Sequence, residues 1–478
     1  MKKLLISALF CSSFFTTANA SEYSDWLKAQ NQSFYSYKKS LDDEFSAMLK
    51  KQWQEYNSMY KTTAYKEPKQ KNLPKIKKVL KIPKKDLIKS IKAHPKKIKI
   101  KKPIPKNVII KKIIKYGYTL KKINFYNQDI KITYDDKFNF NLYEINNNTI
   151  SNTWSKLSKT DYKPLIKQIN LYSKKYTLND WAKYQLIYNI GQSIYDTTNK
   201  ANIFTWFIFT KMGYDTKVAY SNQNIYLLAN IQQKLYQVSF FDIQNKTYHI
   251  LVPSGKINNV EPLFTYESSY KKAKRKLSFD MSNHEIGLFT NIKSKKLYFK
   301  YNNNDYKVTT KYSADLLNFY KTFPQSQYSV YYKAKNSSAI HNSLLMQLKP
   351  LIKDKTELEA VNILLRFVQT SFKYKTDQEQ FSYEKVFFPE ETIFYKYSDC
   401  EDRSIMFAYL VKNILGLDVV GVKYNDHMSA AVRFSSKVKG DSFLYQNKKY
   451  IMTDPTYINS NVGMTMPIYK HKKFSIIR

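Results

Sequence analysis

A cysteine, a histidine and an aspartate recur at equal intervals near the end of this chain. Cys400 stands in the run YSDCEDRS, and His427 and Asp454 follow at steps of 27 residues. A thiolate is a strong nucleophile, an imidazole can take the proton of the thiol, and a carboxylate can orient the imidazole. A single cysteine is also a common buried core residue. The charged residues on both sides of Cys400 argue against a dry core position and favour the nucleophile.

The surrounding pattern predicts how these residues are held. Residues 404–415 predict a helix, because apolar residues recur on one face and Gly416 follows as a stop. Residues 419–424, 429–434 and 449–453 predict short strands, since they are rich in β-branched and aromatic residues. The cysteine therefore opens a helix, and the other two residues lie on neighbouring strands behind it. A helix N-terminus and an imidazolium both stabilise a thiolate.

These residues carry a resemblance to a known family. The run DCEDR at a helix start, His427 on a strand and the run YIMTDP around Asp454 resemble the transglutaminase-like superfamily of cysteine enzymes, over about residues 341–470. The acidic run is most similar to the bacterial transglutaminase-like cysteine protease branch, which has Gly before it and Tyr-Ala after it. Here Ser398 precedes the run and Arg403-Ser404 ends it, so subfamily and substrate stay open.

The resemblance implies an α+β, papain/transglutaminase-like fold, in which a helix carrying the cysteine packs on an antiparallel sheet carrying the histidine and the aspartate. It also implies roles for the three residues. Cys400 is then the nucleophile, His427 the general base and acid, and Asp454 the orienting carboxylate. The low pKa expected of such a thiol would make it reactive near neutral pH.

The triad predicts an enzyme that acts on amide bonds of proteins or peptides. If water resolves the thioester, the enzyme is a cysteine peptidase or amidase. If a lysine amine resolves it, the enzyme is a cross-linking transamidase. Hydrolysis is favoured, because the local pattern is most similar to the protease branch. A non-catalytic cell-envelope binding or scaffold protein is the alternative outside enzymes.

The sequence predicts no cofactor and commits to no metal. Calcium stays open, because in the protease branch acidic residues beside the cysteine help to hold this ion, and Asp399 and Glu401 match their positions. Two carboxylates do not fill a calcium shell of six to eight oxygens.

The first twenty residues predict export. Residues 1–20 combine two lysines, an apolar run and the small-x-small ending of a signal peptide. The apolar run is too short to cross a bilayer, and no other stretch predicts a transmembrane segment in the mature chain. The expected location is periplasmic or secreted, with Cys400 as the cysteine that remains after Cys11 is removed.

The net charge of +41 is concentrated in residues 66–122, which hold 22 lysines. Such a Lys/Pro-rich segment repels itself and is predicted to be extended or disordered. It is either a solvated linker or an adhesive for an anionic envelope surface. Nucleic acid is not an expected partner, because the chain is exported and has no recognition module.

Residues 23–60 predict one long amphipathic helix ahead of the basic segment. Its apolar stripe requires a partner to cover it. The partner is a second copy in a coiled coil, the catalytic module, or another envelope protein.

The middle of the chain repeats the pattern of the catalytic region without its chemistry. The runs QNKTYHILVP at residues 244–253 and QNKKYIMTDP at 446–455 share a turn and a strand, with Val252 where Asp454 stands. Gln223 or Asn224 falls at the position of His427. We therefore predict a degenerate repeat over residues 150–256. It lacks the insertion of about 25 residues, 375–399, that precedes Cys400.

These patterns divide the chain into six segments. They are a signal peptide at residues 1–20, an amphipathic helix at 21–65, a basic linker at 66–122, a degenerate repeat at 123–260, a small β-rich unit at 261–335 with a hairpin turn at 302–305, and a catalytic domain at 336–478.

Overall fold

The computed structural model describes residues 20–51, 53–62, 73–76, 81–96, 116–257, 260–283, 286–287 and 291–478. Over these residues the protein is α+β, with two large antiparallel sheets that pack on helices and four two-stranded sheets. The predicted signal peptide, apart from Ala20, lies outside the described residues. No helix in the described part of the chain is long and apolar enough to cross a membrane.

The first unit is built around a six-stranded sheet. Its helices are α1 (Ala20–Leu49), α3 (Asn147–Ser158), α4 (Lys163–Lys175), α5 (Asp180–Ile194) and α6 (Thr198–Lys211), and the short α2 (Lys84–Ile88) lies between α1 and α3 in the chain. Its strands are β1 (Gln54–Tyr56), β2 (Tyr118–Phe125), β3 (Gln128–Asp135), β4 (Thr216–Ser221), β5 (Asn224–Asn230), β6 (Leu235–Tyr236), β7 (Phe240–Ile243), β8 (Lys246–Leu251) and β9 (Leu263–Thr265). The sheet order is β1-β9-β4-β5-β8-β7, and β2 and β3 form a separate hairpin.

The second unit is built around a five-stranded sheet. Its helices are α7 (Ala314–Thr322), α8 (Tyr328–Lys333), α9 (Ser338–Ile352), α10 (Glu357–Ser371), α11 (Asp377–Phe381), α12 (Pro389–Phe394) and α13 (Cys400–Leu410), followed by a π-helical turn (Val411–Leu415) and a 3₁₀ turn (Pro467–Tyr469). Its strands are β10 (Ile292–Tyr301), β11 (Asn304–Ser313), β12 (Gln325–Ser326), β13 (Lys373–Tyr374), β14 (Tyr397–Ser398), β15 (Asp418–Lys423), β16 (Met428–Arg433), β17 (Ser442–Tyr445), β18 (Lys448–Thr453) and β19 (Ser475–Ile477). The sheet order is β17-β18-β16-β15-β19.

The two main sheets share one order of connections. In the first unit a helix leads into β4, β5, β7, β8 and β9, which lie in the order β9-β4-β5-β8-β7. In the second unit a helix leads into β15 to β19, which lie in the order β19-β15-β16-β18-β17. All of these neighbouring strands are antiparallel. Each preceding helix ends before a glycine with positive φ, Gly213 at +90° and Gly416 at +76°.

The N-terminal helix α1 packs on the first unit. Leu41, Phe45 and Leu49 are buried in its core, where the ring of Phe45 lies 4.7 Å from that of Trp154. The chain's own first unit therefore covers this end of the apolar stripe. The helix predicted as far as residue 60 is wrong beyond Leu49. Residues 54–56 form the edge strand β1 instead, because β9 offers a free sheet edge for pairing.

The basic segment is ordered where it is described. Lys75 pairs with Ile458, Lys92 pairs with Thr356, and Ala93 is buried in the core of the second unit. The alternative of a disordered segment is therefore wrong for residues 73–76, 81–96 and 116–122, and the rest lies outside the described residues. The prediction failed because backbone hydrogen bonds and a few apolar side chains dock the segment while its lysines stay exposed.

The predicted hairpin is present in β10 and β11. Its turn residues Asn302 and Asn303 have φ values of 49° and 64°, as a two-residue hairpin turn requires. The prediction of a β-rich unit is wrong for residues 314–322 and 328–333, which form α7 and α8. The hairpin packs on α9 and α10 of the second unit.

Candidate active site

Cys400 is the first residue of α13, as predicted. Asp399 precedes it at the N-cap, and its own backbone N–H reaches Asp402 Oδ2 at 3.4 Å. The helix packs on β16, since Ser404 Oγ donates to the carbonyl of Ser429 at 2.8 Å. The cysteine is thereby fixed at the point where α13 meets the sheet.

His427 and Asp454 lie at the ends of two paired strands. His427 immediately precedes β16 and Asp454 immediately follows β18, and the register pairs Ala430 with Thr453. His427 Nε2 lies 2.9 Å from Asp454 Oδ2. The strands predicted at residues 419–424, 429–434 and 449–453 are therefore confirmed within a residue or two at each end, as β15, β16 and β18.

The Asp454 carboxylate is held for this contact. Its Oδ1 accepts bonds from the backbone N–H and hydroxyl of Thr456 at 2.9 and 2.7 Å, which leaves Oδ2 for His427. Burial alone would raise the pKa of Asp454, but His427 and the Thr456 donors lower it below its usual value. Asp454 is therefore ionised at neutral pH. Because Asp454 bonds to Nε2 of His427, Nδ1 is the ring nitrogen that can exchange a proton with a neighbour.

The thiol lies against the same end of the sheet. The backbone N–H of Met428, the residue after His427, bonds to the Cys400 sulfur. Tyr469 stacks on the imidazole, with ring centroids 4.7 Å apart, and its phenol bonds to Asp426. The structure thus brings the three predicted residues to one place. Met428 and Tyr469 were not predicted, because a backbone donor and a ring from a distant turn leave no spacing signal.

The thiol environment differs from the expectation. Cys400 is 1% exposed and the charged residues beside it are buried as well, so the inference that these charges keep Cys400 out of the core is wrong. The Arg403 guanidinium is hydrogen-bonded to neutral groups inside the protein. Arg403 donates to Ser398 Oγ and to the carbonyls of Gln369 and Phe372, at 3.2, 3.2 and 2.7 Å.

The expected low thiol pKa also does not hold in this structure. Burial raises the pKa of Cys400, and the neighbouring carboxylates of Glu401 and Asp399 raise it further. The sulfur lies 3.1 Å from Glu401 Oε2, with the thiol as donor. Burial and these carboxylates both favour the protonated thiol.

Five buried or half-buried carboxylates form an acidic cluster beside the thiol. They are Asp377, Glu384, Asp399, Glu401 and Asp402. Single oxygens of Asp377, Glu384 and Glu401 lie within 4.8 Å of one another, as do those of Asp377, Asp399 and Asp402. Burial and mutual repulsion raise the pKa of Asp377, Asp399 and Asp402.

This cluster suits a hard cation better than the sequence indicated. Both carboxylate oxygens of Asp399 and Oε1 of Glu401 are buried without a hydrogen-bond partner among the described residues. Calcium takes carboxylate oxygens, and each of these two groups of carboxylates can supply three of them. Asp377 and Glu384 come from residues 375–399, the segment predicted as an insertion ahead of Cys400. Their role was not predictable, because no fixed spacing connects them to the cysteine.

Comparison with known proteins supports one assignment. Residues 327–474 match a family described as a transglutaminase-like domain. This match supports the predicted transglutaminase-like superfamily for the second unit. No curated protein and no solved structure gives a significant match to the chain.

Proposed function

We propose that the transglutaminase-like domain is a thiol enzyme that cleaves amide bonds of proteins or peptides. The observation that carries the proposal is the convergence of three residues at one end of the sheet. His427 bonds to Asp454, and the N–H after His427 bonds to the Cys400 sulfur. A thiol, an imidazole and a carboxylate in that order form the set that covalent thiol catalysis needs.

The chemistry follows from this arrangement. His427 Nδ1 takes the thiol proton while Asp454 holds the opposite nitrogen, and the sulfur attacks the amide carbonyl. Backbone N–H groups at the start of α13 stabilise the oxyanion. His427 then protonates the leaving amine, and water releases the acid from the thioester. We favour water over a lysine amine because the acidic run is most similar to the protease branch.

The acidic cluster is proposed to hold Ca²⁺ through Asp377, Glu384, Asp399, Glu401 and Asp402. A bound ion would supply positive charge beside the thiol. That charge would offset the carboxylates that now raise the pKa of Cys400.

We propose that the first unit is a degenerate copy of the second. Besides the shared strand order, Leu227 pairs with Leu251 as Ala430 pairs with Thr453. Counting from these pairs, Asn224 falls at His427 and Val252 at Asp454. The helix start beside them is α6 at Thr198, so this copy has no thiol, imidazole or carboxylate in the triad positions. The first unit supports the second unit or positions its substrate, and does not itself cleave an amide bond.

One experiment separates the enzymatic alternatives. The purified chain is incubated with casein and dansylcadaverine, and new N-termini and amine incorporation are both measured. The proposal expects new N-termini in excess of incorporated amine, and neither with Cys400→Ala. Amine incorporation in excess of new N-termini would identify a transamidase. Equal results for wild type and Cys400→Ala would reject the enzymatic function. Export and adhesion of residues 66–122 to an anionic surface remain predictions.

A further inference from the structure

A basic cavity lies at the end of α13 opposite to Cys400. Its volume is about 520 Å³, and a neighbouring hollow of about 200 Å³ shares Tyr332, Lys333 and Lys412 with it. Cavities of this size accommodate small molecules. The second unit forms most of the walls, and the basic segment contributes Lys96.

The charges that line this cavity are unbalanced. Lys96, Lys333, Lys412 and Arg478 face it, and Lys335 lies at the neighbouring hollow. The carboxylate among the described lining residues belongs to Asp418, which accepts bonds from Tyr450 at 2.7 Å and from Arg478 at 3.3 Å. The lysines make no ion pair with a described carboxylate. Concentrated positive charge in a concave site attracts anions.

Backbone contacts hold Lys96 at the wall of this cavity. The Lys96 N–H donates to the carbonyl of Ile414 at 2.8 Å, and its side chain crosses Gly416. A Cβ at Gly416 would lie 2.6 Å from Lys96 Cε, so a larger residue would displace the lysine. Lys412 is presented by the π-helical turn, a local geometry often found at functional sites.

We propose that this cavity binds a phosphate-bearing anion with at least two negative charges. Ammonium groups are common phosphate ligands, and several of them around one hollow favour a polyvalent group over a single carboxylate. The lysine-rich composition alone does not explain the site. Scattered surface lysines are solvated separately, whereas these come from three parts of the chain to one concavity. The ligand is a free phosphate compound or the phosphate headgroup of a lipid.

The test uses the full chain with pyrophosphate in a buffer without divalent cations, followed by calorimetry at low and moderate salt. We expect saturable binding, weakened at least tenfold in Lys333→Gln/Lys412→Gln. The matched control is Lys307→Gln/Lys311→Gln, which removes the same charge from exposed lysines of β11. It should change the affinity less than twofold, and Lys333→Arg/Lys412→Arg should retain binding.

Vesicles of phosphatidylglycerol distinguish the two sources of phosphate. If pyrophosphate displaces the bound chain from the vesicles, and Lys333→Gln/Lys412→Gln loses this effect, the ligand is a lipid headgroup. Pyrophosphate binding without such displacement assigns a free compound. Absence of saturable binding, or equal loss in the variant and its charge-matched control, would overturn the proposal. Circular dichroism of each variant checks that it is folded.

Discussion

The sulfur of Cys400 lies 3.1 Å from Oε2 of Glu401, the residue that follows it in the chain. This contact works against the thiolate, because a carboxylate beside a thiol raises the pKa of the thiol. The same carboxylate belongs to the acidic cluster. The reactivity of Cys400 should therefore depend on how this charge is balanced.

Neutralising Glu401 should make the thiol more reactive. In Glu401→Gln the pKa of Cys400 should fall, because a like charge beside the thiolate is removed. The rate of alkylation by iodoacetamide, followed over pH, measures this shift at the Cys400 peptide. Glu261→Gln removes a carboxylate from the first unit and should leave the profile unchanged. A profile that stays in place in both variants would refute the coupling.

Calcium should stabilise the protein through the acidic cluster. At a hundred times its Kd, a ligand that binds the folded state alone stabilises it by about 2.7 kcal/mol. We expect the melting temperature to rise with Ca²⁺ and protons to be released, because Asp377, Asp399 and Asp402 have raised pKa values without a cation. Asp377→Asn should abolish both responses. The site does not exist if wild type and variant respond alike.

The docking of α1 depends on a buried ion pair. Lys211 bonds to Asp42 of α1, and both side chains are almost inaccessible to solvent. Asp42→Asn should destabilise the protein by about 3 kcal/mol in urea melts, because the ammonium group stays buried without its carboxylate. Adding Lys211→Met should recover at least half of that loss. If the double variant is as unstable as the single one, the cost has another origin.

Stability should fall on acidification because of His249. Burial lowers the pKa of His249 to about 4, with a smaller opposing effect of Asp242. Between pH 6.5 and 4 the unfolded chain therefore binds a proton that the folded chain does not. Stability from this group is present above pH 6.5 and declines by up to about 3 kcal/mol as the pH falls to 4.

Replacement of this side chain isolates its contribution. His249→Phe should flatten the decline of the urea midpoint between these pH values, because phenylalanine does not titrate. The side chain already contacts the ring of Phe240, with centroids 5.7 Å apart. A pH dependence equal to that of the wild type would assign the decline to other groups.

The structural elements predicted correctly from the sequence are those that a local residue pattern specifies. Short-range signals, namely turn residues and runs of β-branched side chains, mark three sets of features. They are the turn at Asn302 and Asn303, the helix opened by Cys400, and the strands that flank His427 and precede Asp454. These elements are present in the structure.

Long-range packing explains the failures. Glu401 and Arg403 appear exposed from their charge, but the folded chain buries both beside groups that are distant in sequence. Lysines 75, 92 and 96 belong to a segment of disordered composition, yet this segment bonds to the second unit through the backbones of Pro74, Ile76, Ile91, Ala93 and Lys96. Asp377 joins the acidic cluster only because the insertion folds back on α13. None of these contacts has a fixed sequence interval.

His427 should activate Cys400 in the folded protein, and native-state alkylation tests this activation most directly. Iodoacetamide labelling at pH 7.5 is followed by mass spectrometry of the Cys400 peptide, for wild type, His427→Ala and Asp454→Asn. We expect the folded wild type to react at least tenfold faster than His427→Ala, with Asp454→Asn between them. Equal rates in all three proteins, or a thiol that reacts only after unfolding, would make Cys400 a core residue and contradict the account.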